Sequence, residues 1–192
     1  MNILLTKFPD YIEINSQKYK IKTDYRNWVL FEMTLFNDSS NEEKLSQMVE
    51  MMIDKPPILT EDDLISFTEA LLLFFNCGEN QKENKKGNAK VTPKKVYSFE
   101  KDQYYIYVDF LRYYKIDLNI IENLHWWKFR QMLFELPDES KFKRVVMYRT
   151  VPITSHMSKE QKQFYMRMRS LYSLSKGEKK NHGSILASHM KL

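Results

Sequence analysis

Side chains able to do chemistry are thinly spread along this chain. Its four histidines, His125, His156, His182 and His189, have no second ligand at the short spacing that tetrahedral metal sites use. Cys77 is the sole cysteine. It ends an apolar run with no histidine close by in sequence, which reads as an inert buried thiol rather than a nucleophile, and it has no partner for an internal disulfide. Thr60 is followed by Glu61, Asp62 and Asp63. Three clustered carboxylates suit a hard cation, yet a capped first helical turn explains the same pattern, because the helix dipole favours negative charge there. With four glycines, Gly78, Gly87, Gly177 and Gly183, no phosphate-cradling loop of known signature can be assembled. The expectation is a non-enzymatic protein with no metal and no cofactor.

What stands out instead is the stretch ENLHWWKFRQMLFELP, residues 122–137, with two adjacent tryptophans. Neighbours on a helix point about 100° apart, so Trp126 and Trp127 cannot share one narrow seam. With Trp126 at the origin, Met132, His125, Leu136, Phe129, Leu133, Phe134 and Trp127 fill more than half of the wheel, and Lys128, Gln131 and Glu135 hold the rest. Either one indole packs on each flank of a broad core face, or one belongs to a partner. Trp127 lies at the edge of the arc with Phe134 seven residues on. Trp126, Trp127, Lys128, Arg130 and Phe134 are therefore the candidate partner-binding set. Arg130 falls inside the apolar arc, where a guanidinium has to snorkel out or find a carboxylate.

The elements that position these residues are mostly helical. YIEINSQKYKIK, residues 11–22, holds two short alternating runs around Asn15-Ser16 and predicts a β-hairpin. Thr23 or Asp24 caps a helix over 25–36, and a second helix covers about 41–53 before Pro56-Pro57. Thr60 caps a third that is apolar nearly all round from Leu64 to Phe75 and ends at Gly78. Ser98 caps FEKDQYYIYVDFLRYYK, in which a wide arc of Phe, Tyr, Ile, Leu and Val faces the core while Asp102, Asp109 and Arg112 occupy the remainder. The tryptophan helix follows. Pro137-Asp138 ends it and caps the next, SKFKRVVMYRTV; Ser158 with Gln161 boxes the last, which runs towards Gly177. The fold class is mainly α, a helical bundle with a small N-terminal β-hairpin. Residues 1–78 and 98–175 form two helical parts joined by a flexible basic linker, 79–97, and 176–192 read as a disordered tail.

Composition narrows the function classes. A content of 43% apolar and 14% aromatic residues is ample for a core. No run approaches the roughly 20 apolar residues of a membrane span, and the N-terminus lacks the apolar stretch of a signal peptide. A soluble, cytoplasmic protein is expected. Residues 1–78 carry 7 Lys/Arg against 13 Asp/Glu, whereas 156–192 carry 8 against 2. Opposed ends suit self-association into oligomers, and a basic linker and last helix suit phosphates. A nucleic-acid-binding protein is accordingly the alternative reading, although no aromatic side chain is interleaved with the linker lysines to stack on bases.

KYKIKTDYRNWVLFE, FFNCG, SFEKDQYYIYVDFLRYYKIDL and LHWWKFRQMLFELPD together resemble a family of tailed bacteriophages and prophages of Gram-positive bacteria, labelled by its phage gene-product number, fifteen. The resemblance runs over most of residues 1 to about 175, fails in the linker and tail, and is most specific at LHWWKF, Leu124 to Phe129. Lys115 departs from it, standing where glycine is expected, and Tyr25 is a milder departure. Family members resemble tail assembly chaperones of long, non-contractile tails. The resemblance implies a protein that binds the tape measure protein in the host cytoplasm, helps the tail tube protein assemble on it, and is absent from the finished particle. It implies no catalytic residues.

Overall fold

The computed structural model describes residues 2–36, 40–53, 60–79 and 95–174. Strand β1 (Tyr11–Ile14) pairs antiparallel with β2 (Gln17–Lys20), Tyr11 opposite Lys20 and Ile14 opposite Gln17. Asn15 and Ser16, at φ 51° and 64°, form the two-residue loop. Both lie in the left-handed region, the turn geometry whose twist matches that of the strands. Alternation then buries Ile12 and Ile14 and exposes Tyr11 and Glu13.

Seven helices follow among the described residues: α1 (Tyr25–Leu35), α2 (Asn41–Met52), α3 (Glu61–Phe75), α4 (Phe99–Asp109), α5 (Trp126–Phe134), α6 (Lys141–Thr150) and α7 (Lys159–Leu171). Local capping chemistry sets their starts. Asp24 accepts from the Arg26 N–H, and Ser40, Thr60 and Ser158 form reciprocal boxes with Glu43, Asp63 and Gln161. Asp63 is thus a capping carboxylate, held below the usual aspartate range by bonds from the Thr60 hydroxyl and N–H. Two ends differ from the sequence expectation. Ser140, not Asp138, caps α6, because its hydroxyl accepts from the Lys143 N–H. Helix α7 stops at Leu171, short of Gly177. The tail 176–192 and linker residues 80–94 lie outside the described residues.

Helix α4 does not simply run on. Phe110–Tyr114 form a wider π-helical turn, closed by Lys115 at φ 58°. The face it turns inward also differs from the wheel. Asp102 and Asp109 are 1% and 0% exposed, while Tyr104 is 74% exposed and Val108 and Leu111 are exposed too. Helix α6 supplies the reason. Asp109 accepts from the Phe142 N–H at 2.7 Å, at a helix start where unpaired N–H groups and the dipole favour an anion. Asp102 takes both ends of the Arg149 guanidinium at 2.7 Å each and the Ser98 N–H at 2.9 Å.

One hydrophobic core runs through both helical parts. Trp28 and Phe31 of α1, Met48 and Met52 of α2 and Leu71 of α3 belong to the same buried cluster as Ile106, Trp126, Phe129, Leu133 and Phe142. The two parts read from the sequence are therefore packed on each other, with α1 lying against α4 and α5.

Candidate functional site

A helix ends with carbonyls that have no helical partner. At the end of α3, the Leu72 carbonyl accepts from the Asn76 backbone at 3.0 Å and its side-chain amide at 2.9 Å, and Leu73 accepts from the Gly78 N–H at 2.9 Å. Cys77 and Gly78, at φ 58° and 81°, turn the chain back to make these bonds. Phe74 accepts from the Cys77 N–H at 2.9 Å. The Trp127 indole N–H adds a second bond to Phe74 at 2.8 Å, and Trp126 donates to Phe75 at 2.9 Å. Successive carbonyls, like successive side chains, point about 100° apart on a helix, so two adjacent indoles on α5 reach two adjacent carbonyls on α3. The tryptophan pair is a cap for another helix. Rings complete the contact: Trp126 stacks on Phe75 at 5.2 Å and Trp127 tilts against Phe74 at 5.3 Å.

The chain entering α5 is fixed from α1. Trp126 donates its N–H to Thr23 at 2.7 Å, Leu124 accepts from Tyr25 at 2.9 Å, and Leu124 donates to the Asp24 carboxylate at 3.1 Å. Asp24 thus caps α1 and holds the start of α5 together. Arg26 reaches the Leu118 and Ile121 carbonyls at 3.0 and 2.7 Å, and the Tyr25 hydroxyl also donates to Leu118 at 2.8 Å. His125 is the N-cap of α5: Nδ1 accepts from the Trp127 N–H at 3.1 Å, and Nε2 lies 3.0 Å from the Pro9 carbonyl. A neutral imidazole with its proton on Nε2 satisfies both. Burial pushes His125 below the usual histidine range, opposed by the Pro9 bond and by Asp10.

Arg130 settles in this junction's outer wall. Its guanidinium lies 5.2 Å from the Phe134 ring and donates to the Cys77 sulfur at 3.6 Å. The carboxylate nearby is Glu32, only 3% exposed, which accepts from the Tyr97 hydroxyl at 2.8 Å and has Lys95 at 3.9 Å. Burial raises the Glu32 pKa, against the Tyr97 bond and the charges of Lys95 and Arg130. Burial also raises the Cys77 thiol, against the pull of Arg130.

The five residues singled out in the sequence therefore divide. Trp126 and Trp127 are 1% and 8% exposed, Arg130 and Phe134 are half-buried, and Lys128 is exposed. Neither indole meets a partner without the junction opening. Sequence reasoning passed over His125 as a cap, Glu32 as a buried carboxylate bound by the Tyr97 hydroxyl, and Asp24 and Arg26 as ties between the parts. A short polar residue just ahead of each helix was the available signal for the caps; nothing local pointed to Glu32. His156 is exposed, and His182 and His189 lie outside the described residues. Among the described residues no three His, Cys, Asp or Glu side chains group to hold a metal, and no helix is long and apolar enough to cross a membrane.

The stretches KTDYR, FFNCG, IDL and LHWWKF, scattered in sequence, thus meet at one junction. No curated protein and no solved structure matches the chain. A family model described as "Bacteriophage Gp15 protein" matches residues 4–174, which takes in both strands, all seven helices and the whole of the junction. The chain belongs to the bacteriophage Gp15 protein family.

Proposed function

We propose that this protein is a non-enzymatic tail assembly chaperone, which binds the tape measure protein in the bacterial host cytoplasm, assists assembly of the tail tube protein on it, and leaves before the particle is complete. The supporting observation is the family match along residues 4–174, within which the resemblance to tail assembly chaperones lies. Client contact then falls to apolar side chains outside the tryptophan junction. Helix α7 suits it: none of its residues is buried, and Phe164, Met166 and Leu171 are 48%, 57% and 44% exposed. Phe164 and Leu171, seven residues apart, share the face that an amphipathic client helix would meet, and Met166, about 200° round from Phe164, offers a flexible thioether on another side. Of the original set, Lys128 is exposed and Phe134 half-buried.

Coexpression tests the reading. The tape measure protein encoded in the same tail gene cluster should remain in the soluble fraction with this chain and sediment without it. Equal sedimentation in both cases would refute the proposal.

A further inference from the structure

Where α6 ends, the chain walls a cavity of about 430 Å³. The Val151 N–H closes the last turn on Met147, and Pro152, with no N–H to give, carries the chain out of the helix. Helix α7 then returns, and Arg169 of its last turn donates to the Val151 carbonyl. Lys95, Arg149 and Arg169 line the cavity together with the apolar side chains of Val96, Pro152 and Ile153, and among the described residues no carboxylate lines it. The three cations are not equally engaged. Arg149 is matched by Asp102, with two bonds of 2.7 Å. Lys95 lies 3.9 Å from Glu32 and 4.1 Å from the centre of the Phe36 ring. Arg169 has only the neutral Val151 carbonyl. Its Nε is buried without a hydrogen-bond partner, and among the described residues no carboxylate pairs with it. Two carboxylates therefore stand against three cations, and the unmatched charge is that of Arg169.

We infer that this cavity binds one carboxylate of an acidic peptide segment, held by the Arg169 guanidinium, with Lys95 beside it and an apolar neighbour of the acid against Val96, Pro152 and Ile153. A guanidinium offers a planar fork of N–H donors that fits the two oxygens of a carboxylate. Held by one neutral acceptor and with a donor left over, the Arg169 side chain gains by turning its fork to a charged one. The charge count selects a carboxylate over a phosphate. A phosphate group brings about −1.5 to −2 charges, more than the one positive charge left unmatched. The carbonyl end of α6, at the cavity wall, adds a partial negative charge that penalises the larger anion further. The apolar walls, and a volume within the ~300 to 1,000 Å³ of ligand pockets, suit an acid carried on a peptide rather than a bare ion. This inference is independent of the chaperone reading.

Proton–nitrogen NMR on the full chain supplies the test, with the Arg169 Nε–H signal assigned through bonds from its own backbone amide and the Ile153 amide as a second reporter. Three tripeptides are the probes. Acetyl-Gly-Glu-Leu-amide carries its acid on a side chain, acetyl-Gly-Gln-Leu carries it at the chain end, and acetyl-Gly-Gln-Leu-amide carries none. At least one acid peptide should shift both signals and saturate them below about 10 mM, while the uncharged peptide moves neither. The tighter of the two acid peptides tells a side-chain acid from a chain end. Arg169→Gln should weaken that peptide about tenfold or more at the Ile153 amide, because charge-assisted bonds are lost. No saturable shift with either acid peptide up to about 10 mM overturns the inference. So does an equal shift with the uncharged peptide, an Arg169→Gln chain that binds like the wild type, or inorganic phosphate that binds more tightly than both acid peptides. Should Arg169→Gln fail to fold, the wild-type titrations decide the matter by themselves.

Discussion

Replacing either tryptophan of the pair probes the junction with an asymmetry that the structure fixes in advance. Both indoles are buried, and truncating a buried aromatic to alanine costs about 3 to 5 kcal/mol. Against the ~5 to 15 kcal/mol that holds a domain together, Trp126→Ala or Trp127→Ala leaves little margin. Phenylalanine is the more informative change, since it keeps an aromatic ring and removes the N–H. In Trp127→Phe the Phe74 carbonyl still accepts from the Cys77 N–H, so the loss should be about 1 kcal/mol beyond the packing change common to both variants. In Trp126→Phe the part-buried Phe75 carbonyl loses the indole that reaches it at 2.9 Å with no turn N–H beside it to stand in, and an acceptor left unsatisfied costs about 1 to 3 kcal/mol. Guanidinium unfolding followed by far-UV circular dichroism measures both without relying on the fluorophores removed. Trp126→Phe should be the more damaging by about 1 kcal/mol. A Trp127→Ala chain within about 0.5 kcal/mol of the wild type would behave as a surface substitution and refute the capping account.

Three other perturbations test separate parts of the fold. Lys115 holds φ 58° at the end of the π-helical turn, so Lys115→Gly should relieve about 1 kcal/mol of backbone strain and raise Tm by about 2 to 4 °C; an unchanged or lower Tm refutes the strain. His125 is neutral in the fold with its pKa pushed down, so the unfolded chain binds its proton more readily. Its contribution is present above about pH 6.5 and is lost as pH falls below that. Urea midpoints between pH 7.5 and 5.5 should therefore fall in the wild type and fall less in His125→Asn, which keeps a capping acceptor; parallel curves exclude His125 as the cause. Arg149 binds Asp102 and the Val96 and Tyr172 carbonyls. Arg149→Ala strands a carboxylate that is 1% exposed and should cost about 3 to 5 kcal/mol, whereas Arg149→Met with Asp102→Leu should recover most of it in thermal melts. Equal losses in the two chains would show that the ion pair is not what the fold misses.

What the sequence discloses is what neighbouring residues decide. The capping boxes at Ser40, Thr60 and Ser158 and the Asn15-Ser16 turn each rest on side chains within three residues of one another, and they appear where local chemistry puts them. The direction in which a helix faces is not local. Asp102 and Asp109 are polar on any wheel, but a wheel cannot distinguish water from the guanidinium of Arg149 or the start of α6. Arg130 shows the same limit from the other side. Its place in an apolar arc demanded a compensating contact, and the structure supplies the Phe134 ring and the Cys77 sulfur, the latter 53 residues earlier in the chain.

The tryptophan pair carries this argument to the question of function. Rarity made Trp126 and Trp127 the natural candidates for a partner site, yet their donors close carbonyls 51 and 53 residues back in the chain. Gly78 belongs to the same arrangement: a Cβ there would lie 3.5 Å from the Trp127 ring, an ordinary contact, so it is the φ of 81° that favours glycine. FFNCG and LHWWKF therefore act as two halves of one fastening, and each half is intelligible only beside the other. Side chains fixed by such mutual geometry are poorly placed to adapt to a client. On the proposed function, contact with a client falls instead to exposed side chains such as Met166 and Leu171 of α7.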